Sequence, residues 1–213
     1  FKYNSDAFPS FPTLWENNGG KFVSFLNALE TREVFDNLLN PVSRKYYPDG
    51  LSENQKRWDN KDVNVVLENY LSESSFDQPT CFFVWYNIRK DPNTSQVVQE
   101  VLDLFDSKGL LDDSFVIATA DHGYLDPKRG YTPKRLKELN LTHDILVTED
   151  QIKIPLWNKY PQITTQKIDS TIFTIDFMHT LLEYFNIPYP EESSLKPYGK
   201  SLLPLIDNDA EAV

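Results

Sequence analysis

The tripeptide Asp121-His122-Gly123 carries the residue types in this chain that are best suited to chemistry. It directly follows the apolar run from Ser114 to Ala120, whose β-branched and aromatic residues predict a buried strand. A carboxylate and an imidazole then stand side by side at the carboxyl end of that strand, which is where open α/β sheets bind their ligands. Both side chains ligate divalent cations, and glycine permits a tight turn of the backbone. The alternative interpretation is that Asp121 and His122 only cap a loop.

The elements ahead of this tripeptide predict how it is positioned. The continuous apolar run Thr80–Ile88 predicts a buried strand, the apolar spacing within Val97–Phe105 predicts a helix, and Gly109 is expected to end that helix. A strand–helix–strand crossover is nearly always right-handed. We therefore expect the strand at Val116 to be parallel to the first strand, either adjacent to it or separated by one strand, with Asp121 at the catalytic edge.

The remaining elements are predicted from periodicity and from breaker residues. They are a loop-rich stretch over Asn4–Gly20, a helix within Lys21–Leu39, a helix over Asn54–Ser74, a strand over Ile152–Trp157 and a helix over Thr174–Asn186. In the last helix, His179 lies opposite the apolar stripe, three residues from Asp176 and four from Glu183. This spacing predicts a surface histidine that pairs with carboxylates.

Length and composition fit one globular domain with an extension. The 213 residues are 40% hydrophobic and 14% aromatic, which is enough apolar material for a substantial core. We expect a loop-rich and helical N-terminal part over residues 1–79, an α/β part over residues 80–206, and a disordered acidic tail over residues 207–213. The single cysteine, Cys81, lies in an apolar run and is expected to be a buried core thiol.

The charge balance excludes some partners and favours another. A net charge of −11 makes nucleic acid or an anionic membrane surface an unsuitable partner, and no apolar stretch reaches the length of a membrane span. Five basic residues nevertheless cluster after the tripeptide, where an anionic substrate would bind: Lys128, Arg129, Lys134, Arg135 and Lys137. Lys128 and Lys134 are the candidates for contacting that anion, and the others are expected to form a solvated helix face.

Four ordered blocks resemble the sulfatase-like branch of the alkaline phosphatase superfamily. The segment Ala120-Asp121-His122-Gly123 resembles the family's Ser-Asp-His-Gly signature, although its first residue differs. His143 stands at the same distance from Pro155 as the family's loop histidine from its proline. The segment Ile175–Pro188 resembles the family's Asp-x-x-Pro-Thr-Leu-Leu helix, and Tyr198–Leu205 resembles its closing Gly-x-Ser-Leu-Leu-Pro-Leu. The resemblance extends from about Thr80 to Ile206.

The family's nucleophile segment has no full counterpart in the sequence. Members carry a Cys, Ser or Thr in a Cys/Ser/Thr-x-Pro-Ser/Thr-x-Arg setting, preceded by an acidic pair that completes the metal site. Ser10, in Ser-Phe-Pro-Thr-Leu after Asp6, matches this pattern in part, but the basic residue is missing. We therefore expect the chain to be a fragment or a divergent member, with the nucleophile and the other acidic ligands on an N-terminal part of the same protein.

The resemblance implies a mainly parallel sheet with helices on both faces, and the hydrolysis or transfer of a sulfuric or phosphoric ester. Asp121 and His122 would be metal ligands, and His143 would be either a further ligand or the group that faces the substrate. The two histidines favour zinc or manganese, and calcium remains an alternative because it prefers oxygen ligands.

The alternative function is a sulfatase-like module without turnover that serves in binding or assembly. The resemblance implies a secreted or lysosomal, extracytoplasmic protein, which two glycosylation patterns at Asn93 and Asn140 would suit. Nothing in the sequence indicates an oligomeric state.

Overall fold

The computed structural model describes residues 9–27, 44–46, 60–86, 94–125, 127–130, 132–138, 147–161, 167–191, 193 and 197–206. The chain divides into two compact units. Unit 1 comprises Phe1–Leu104 and Gln166–Val213, and unit 2 comprises Phe105–Thr165. The domain boundaries expected at residues 79 and 206 remain predictions.

A three-stranded parallel sheet lies at the centre of unit 1. Its strands are β1 (Lys21–Leu26), β2 (Arg44–Tyr46) and β3 (Thr80–Trp85), in the order β2-β1-β3. The register of β1 on β3 runs from Lys21 opposite Thr80 to Leu26 opposite Trp85. β1 is paired along both edges, and its residues from Phe22 to Leu26 are all buried.

The helix expected within Lys21–Leu39 is wrong for residues 21–26, which form β1. A strand that is covered on both faces needs apolar residues at successive positions, so its pattern does not alternate. Such a short apolar run has no periodicity that distinguishes a strand from a helix. Residues 28–39 lie outside the described part of the chain.

Helices cover both faces of this sheet. On one face, Phe22 packs with Leu14 and Trp15 of helix α1 (Phe11–Asn17) and with Leu182 and Ile187. On the other face, Phe25 stacks on Tyr46 with the ring centroids 4.8 Å apart and meets the edge of Tyr70 at 5.7 Å. Tyr70 belongs to helix α2 (Asn60–Glu73). The predicted α/β class, with a mainly parallel sheet and helices on both faces, is confirmed.

Helix α1 occupies part of the stretch Asn4–Gly20, which had been expected to be loop-rich. Ser10 is its N-cap, with extended backbone angles, and its hydroxyl accepts a hydrogen bond from Thr13 N at 3.4 Å. This N-cap and Pro12 in the first turn begin the helix, and an apolar face formed by Leu14 and Trp15 stabilises it against the sheet.

The other predicted helices of this part are confirmed where they are described. Helix α2 buries Val63, Leu67, Tyr70 and Leu71, which are spaced as one helix face. Helix α3 (Thr94–Ser107) crosses the division between the two units, and Gly109 follows it with a positive φ of 65°, as a helix-ending glycine does.

Cys81 packs against the hydrophobic cluster on the α1 face of the sheet. Burial raises the pKa of its thiol to about 12. The expectation of a buried core thiol is confirmed in part, because Cys81 packs against the core but is only partly buried. Its raised pKa does not suit it to act as a nucleophile at neutral pH.

Helix α6 (Asp176–Tyr184) is joined to the closing segment of the chain, which includes α7 (Leu203–Ile206). The carboxylate of Asp176 accepts hydrogen bonds from Phe173 N at 2.8 Å and from Lys200 N at 3.0 Å. The hydroxyl of Thr180 donates to the Asp176 carbonyl and accepts from Leu202 N. The last two blocks of the sequence resemblance therefore form one structural junction.

This junction corrects the expected pairing of His179. Asp176 is only 8% exposed, and its carboxylate accepts hydrogen bonds from Lys200 N of the closing segment and from Phe173 N. His179 bonds through Nε2 to the Pro197 carbonyl at 2.8 Å. A contact between residues distant in sequence has replaced the local pairs that helical spacing predicted.

Unit 2 contains a two-stranded antiparallel sheet of β4 (Val116–Thr119) and β5 (Leu156–Lys159). A 3₁₀ turn (Pro127–Arg129) and helices α4 (Pro133–Glu138) and α5 (Glu149–Ile152) lie between these strands in sequence. Its buried apolar residues include Leu125 and Tyr160, and Tyr160 meets Phe115 edge to face at 4.4 Å.

One expectation for this part is corrected and another stays a prediction. In unit 2, β4 pairs with β5 in an antiparallel ladder, and the parallel crossover from β3 to β4 stays a prediction. The strand expected over Ile152–Trp157 begins later, at Leu156, because α5 continues to Ile152 and Pro155 has no N–H for a ladder. No helix in the described part of the chain is long and apolar enough to cross a membrane.

Candidate metal site at the end of β4

Asp121 and His122 lie just beyond the carboxyl end of β4, as the sequence predicts. The Thr119 hydroxyl donates to the Pro155 carbonyl at 2.9 Å, which holds the end of β4 beside the start of β5. Asp121 is exposed, and its Oδ1 accepts a hydrogen bond from His122 N at 2.9 Å. This local bond fixes the carboxylate and leaves Oδ2 directed at the imidazole.

The His122 ring is oriented by the next residue. Its Nδ1 lies 2.8 Å from the Gly123 carbonyl oxygen, which can only accept a hydrogen bond. In the neutral ring the proton is therefore on Nδ1, and Nε2 carries the lone pair. Nε2 is 3.7 Å from Asp121 Oδ2. Two electron-pair donors thus converge at a distance too long for a hydrogen bond, and a cation between them would stabilise the arrangement.

This pair fits a divalent cation. Two ligands that are each about 2.1 Å from one ion in tetrahedral geometry are about 3.4 Å apart, close to the 3.7 Å observed. A metal-binding histidine commonly donates its other N–H to a backbone carbonyl, as His122 does to Gly123. Among the described residues, no group of three or more His, Cys, Asp or Glu side chains is arranged to hold a metal ion. The roles of Asp121 and His122 as metal ligands remain a prediction.

Gly123 holds the site against helix α5. Its N–H donates to the Gln151 carbonyl at 2.8 Å. A Cβ on Gly123 would lie 2.0 Å from the Asp150 carbonyl oxygen, which no side chain tolerates. Glycine is thus required at this position by the close approach of two backbone segments.

Charged side chains reinforce this contact. Arg129 Nη1 lies 3.0 Å from Asp150 Oδ1 and 3.9 Å from Glu149 Oε2, and Lys153 forms an ion pair with Glu149. The hydrogen bond and the charge of Lys153, together with Arg129, hold the pKa of Glu149 below its usual value. The 3₁₀ turn is therefore tied to α5 by Arg129.

The other predicted site residues are not tested by the described structure. His143 lies outside the described residues, as do the glycosylation candidates Asn93 and Asn140. Lys128 and Lys134 are exposed, and Lys134 lies 3.9 Å from Glu138 on the same face of α4. The roles of His143, Lys128 and Lys134 remain predictions.

Two features near the strand ends were missed by sequence reasoning. In unit 2, the Tyr124 ring meets the His122 imidazole edge to face, with the centroids 5.2 Å apart. In unit 1, Tyr86 follows β3 and donates its hydroxyl to Asn64, which in turn donates to Glu100 at 3.0 Å. Burial and the charge of Glu100 raise the pKa of Tyr86. The only sequence signal for either residue is its position: Tyr124 directly follows the tripeptide Asp121-His122-Gly123, and Tyr86 directly follows β3.

A sequence comparison finds a match to a known family in the middle of the chain. The family model for sulfatases matches residues 92–187, which include β4, Asp121, His122 and all of α6. No curated protein sequence matches the chain.

Solved structures show the same fold at low sequence identity. The lipoteichoic acid synthase LtaP from Listeria monocytogenes superposes with a TM-score of 0.66 at 16% identity, covering 93% of this chain and 57% of the synthase. The protein BT4656, solved with its substrate D-glucosamine-2-N,6-O-disulfate, gives 0.60 at 13% identity, covering 100% of this chain and 68% of its own.

A third structure comes from a Bacteroides thetaiotaomicron locus for the metabolism of glycosaminoglycans. It gives a TM-score of 0.52 at 14% identity, covering 74% of this chain and 39% of that protein. The chain thus spans little more than half of the synthase's length. The chain therefore shares the α/β fold of these structures, and its residues 92–187 match the sulfatase family model.

Proposed function

We propose that this chain carries part of the active centre of a metal-dependent enzyme that hydrolyses or transfers a sulfuric or phosphoric ester. The observation that carries the proposal is the convergence of Asp121 Oδ2 and His122 Nε2 at 3.7 Å beyond the end of β4. The sulfatase match over residues 92–187 includes this pair. The disulfated substrate named for BT4656 supports an anionic ester as the substrate class.

Asp121 and His122 would hold the cation, and Gly123 would keep them in place through its contact with α5. A bound divalent ion would polarise the nonbridging oxygens of the ester. The carboxylate brings one negative charge and the imidazole none, so the ion keeps net positive charge for the anionic substrate. A carboxylate with one or two histidines favours zinc or manganese, and calcium remains the alternative.

The proposal gives His143 one of two roles, a further ligand or a group that faces the departing oxygen. Lys128 and Lys134 are proposed to attract the anionic ester, since both are exposed in the segment that follows the metal pair. Among the described residues, Ser10 caps α1 and Cys81 belongs to the core, so neither is proposed as the nucleophile.

The test is metal binding by the 213-residue chain, measured by titration calorimetry with manganese, zinc and calcium. Asp121→Asn and His122→Ala should each weaken binding of the preferred ion by at least about tenfold. Asp113→Asn is the matched control, because it removes an exposed carboxylate of the same unit and should leave the affinity unchanged.

Equal affinity in Asp121→Asn and in the unchanged chain would show that the ligands are assigned wrongly. Absence of binding by the unchanged chain would favour the alternative function, a sulfatase-like module without turnover, in which Asp121 and His122 persist as loop-forming residues.

A further inference from the structure

Tyr124 is a half-exposed aromatic residue beside the proposed metal pair. It follows Gly123 directly and is 47% exposed, whereas its neighbour Leu125 is buried. Its ring meets the His122 imidazole at a centroid distance of 5.2 Å with the planes 78° apart. The loop thus turns one side chain into the core and presents the aromatic one beside the proposed metal pair.

A second exposed apolar side chain lies in the adjoining segment. Gly123 N donates a hydrogen bond to the Gln151 carbonyl. Tyr124 follows Gly123 in the chain, and Ile152 follows Gln151, so both residues adjoin this backbone contact. Ile152 is 63% exposed although it is aliphatic. The candidate metal site is therefore bordered by apolar surface on the side of Tyr124 and α5.

We propose that Tyr124 is a specificity-determining residue that contacts the alcohol part of the ester and selects a ring-shaped alcohol, a pyranose, over a short-chain alcohol. The inference rests on the proposed function. A sulfuric or phosphoric ester has an anionic end, which the cation would hold, and an organic end, which must lie beside it. A flat aromatic face covers the apolar face of a sugar ring, and the phenol hydroxyl can hydrogen-bond a ring hydroxyl.

The tyrosine suits this role because its position is constrained before binding. The edge-to-face contact with His122 and the close backbone contact at Gly123 restrict the ring. Only two side-chain torsions remain to be fixed, so little conformational entropy is lost when a ligand packs on it.

The experiment measures binding of ester probes to the manganese-loaded 213-residue chain by calorimetry. The probes are glucose 6-sulfate, ethyl sulfate and inorganic sulfate, with glucose 6-phosphate, ethyl phosphate and inorganic phosphate as a parallel series. In the series that binds more tightly, the chain should prefer the glucose ester to the ethyl ester by about fivefold or more.

Tyr124→Ala should remove that preference and leave the affinities for the ethyl ester and for the inorganic anion unchanged. Tyr124→Phe should retain most of it, because the aromatic face is kept. Trp157→Ala is the matched control, since it removes another aromatic side chain of the same unit with a similar exposure of 46%, and it should keep the preference.

The proposal would be overturned if Tyr124→Ala kept the preference for the glucose ester over the ethyl ester, or if it lost as much affinity for the inorganic anion as for the glucose ester. It would also be overturned if the unchanged chain showed no such preference or bound none of the probes. Asp121→Asn separates this failure from that of the proposed function. If Asp121→Asn abolishes manganese binding while Tyr124→Ala keeps the preference, only the role of Tyr124 is refuted. If Asp121→Asn leaves manganese binding intact, the metal assignment itself is refuted.

Discussion

The closest backbone contact of the candidate site lies at Gly123, and replacing this glycine by alanine is expected to disrupt unit 2. The added methyl group would lie 2.0 Å from the Asp150 carbonyl oxygen, whereas ordinary van der Waals contact begins at 3.4 Å. The obstacle is backbone and not the end of a flexible side chain. The two segments must therefore separate by about 1 Å or more, or the turn after β4 must rearrange.

The expected cost has two parts. Overpacking of this kind costs about 1–3 kcal/mol. Separation of the segments also breaks the bond from Gly123 N to the Gln151 carbonyl, which contributes about 0.5–1.5 kcal/mol. Gly123→Ala should therefore lower the free energy of unfolding by about 2–4 kcal/mol, which corresponds to a fall in Tm of about 5–15 °C for a chain of this size.

Urea unfolding followed by circular dichroism measures the free energy, and hydrogen exchange of peptides covering residues 116–125 and 147–161 locates the change. Both peptides should lose protection in Gly123→Ala. Gly109→Ala is the control, because its φ of 65° is strained for alanine but nothing lies within 4 Å of the added methyl group. It should cost about 1–2 kcal/mol and leave the protection of both peptides unchanged. Unaltered stability and protection in Gly123→Ala would show that the contact with α5 is absent in solution.

Two further predictions follow from titrating groups. Burial raises the pKa of Cys81 to about 12. Iodoacetamide at pH 8 should therefore modify this thiol at least about 100-fold more slowly in the folded chain than in 6 M guanidinium. Mass spectrometry measures the two rates, and equal rates would contradict the raised pKa. Lys153 lowers the pKa of Glu149 in the folded chain. The ion pair therefore stabilises the fold above the pKa that Glu149 has in the unfolded chain, and this stabilisation is lost as the pH falls through its pKa in the folded chain. In carboxyl-detected NMR titrations Lys153→Ala should move the Glu149 pKa up towards 4.5, whereas Lys134→Ala should leave it in place.

Sequence by itself determined the elements whose signals are local. Helices α2, α3 and α6 follow from apolar spacing, and strands β3 and β4 follow from their continuous apolar runs. The burial predicted for these two strands is wrong, because their residues are only half-buried or exposed. The position of Asp121 and His122 also follows, because a strand that ends in polar residues delivers them at its carboxyl end. The family resemblance, read from four ordered blocks, identified the fold that the structural comparison shows.

Only the tertiary structure decided which strands pair and which polar residues are buried. The apolar pattern of β1 is compatible with a helix or a strand, and pairing with two neighbouring strands makes it a strand. The carboxylate of Asp176 is buried and accepts a hydrogen bond from the N–H group of Lys200, a residue distant in sequence.

The geometry of the candidate site was likewise decided by contacts between distant segments. The spacing of Asp121 and His122 in the sequence does not reveal that Gly123 orients the imidazole, nor that α5 leaves no room for a side chain at Gly123. Periodicity reports on one segment and its average surroundings, whereas register, proton position and backbone contact depend on which segments meet. The metal-binding chemistry could therefore be predicted from residue types, but its arrangement required the fold.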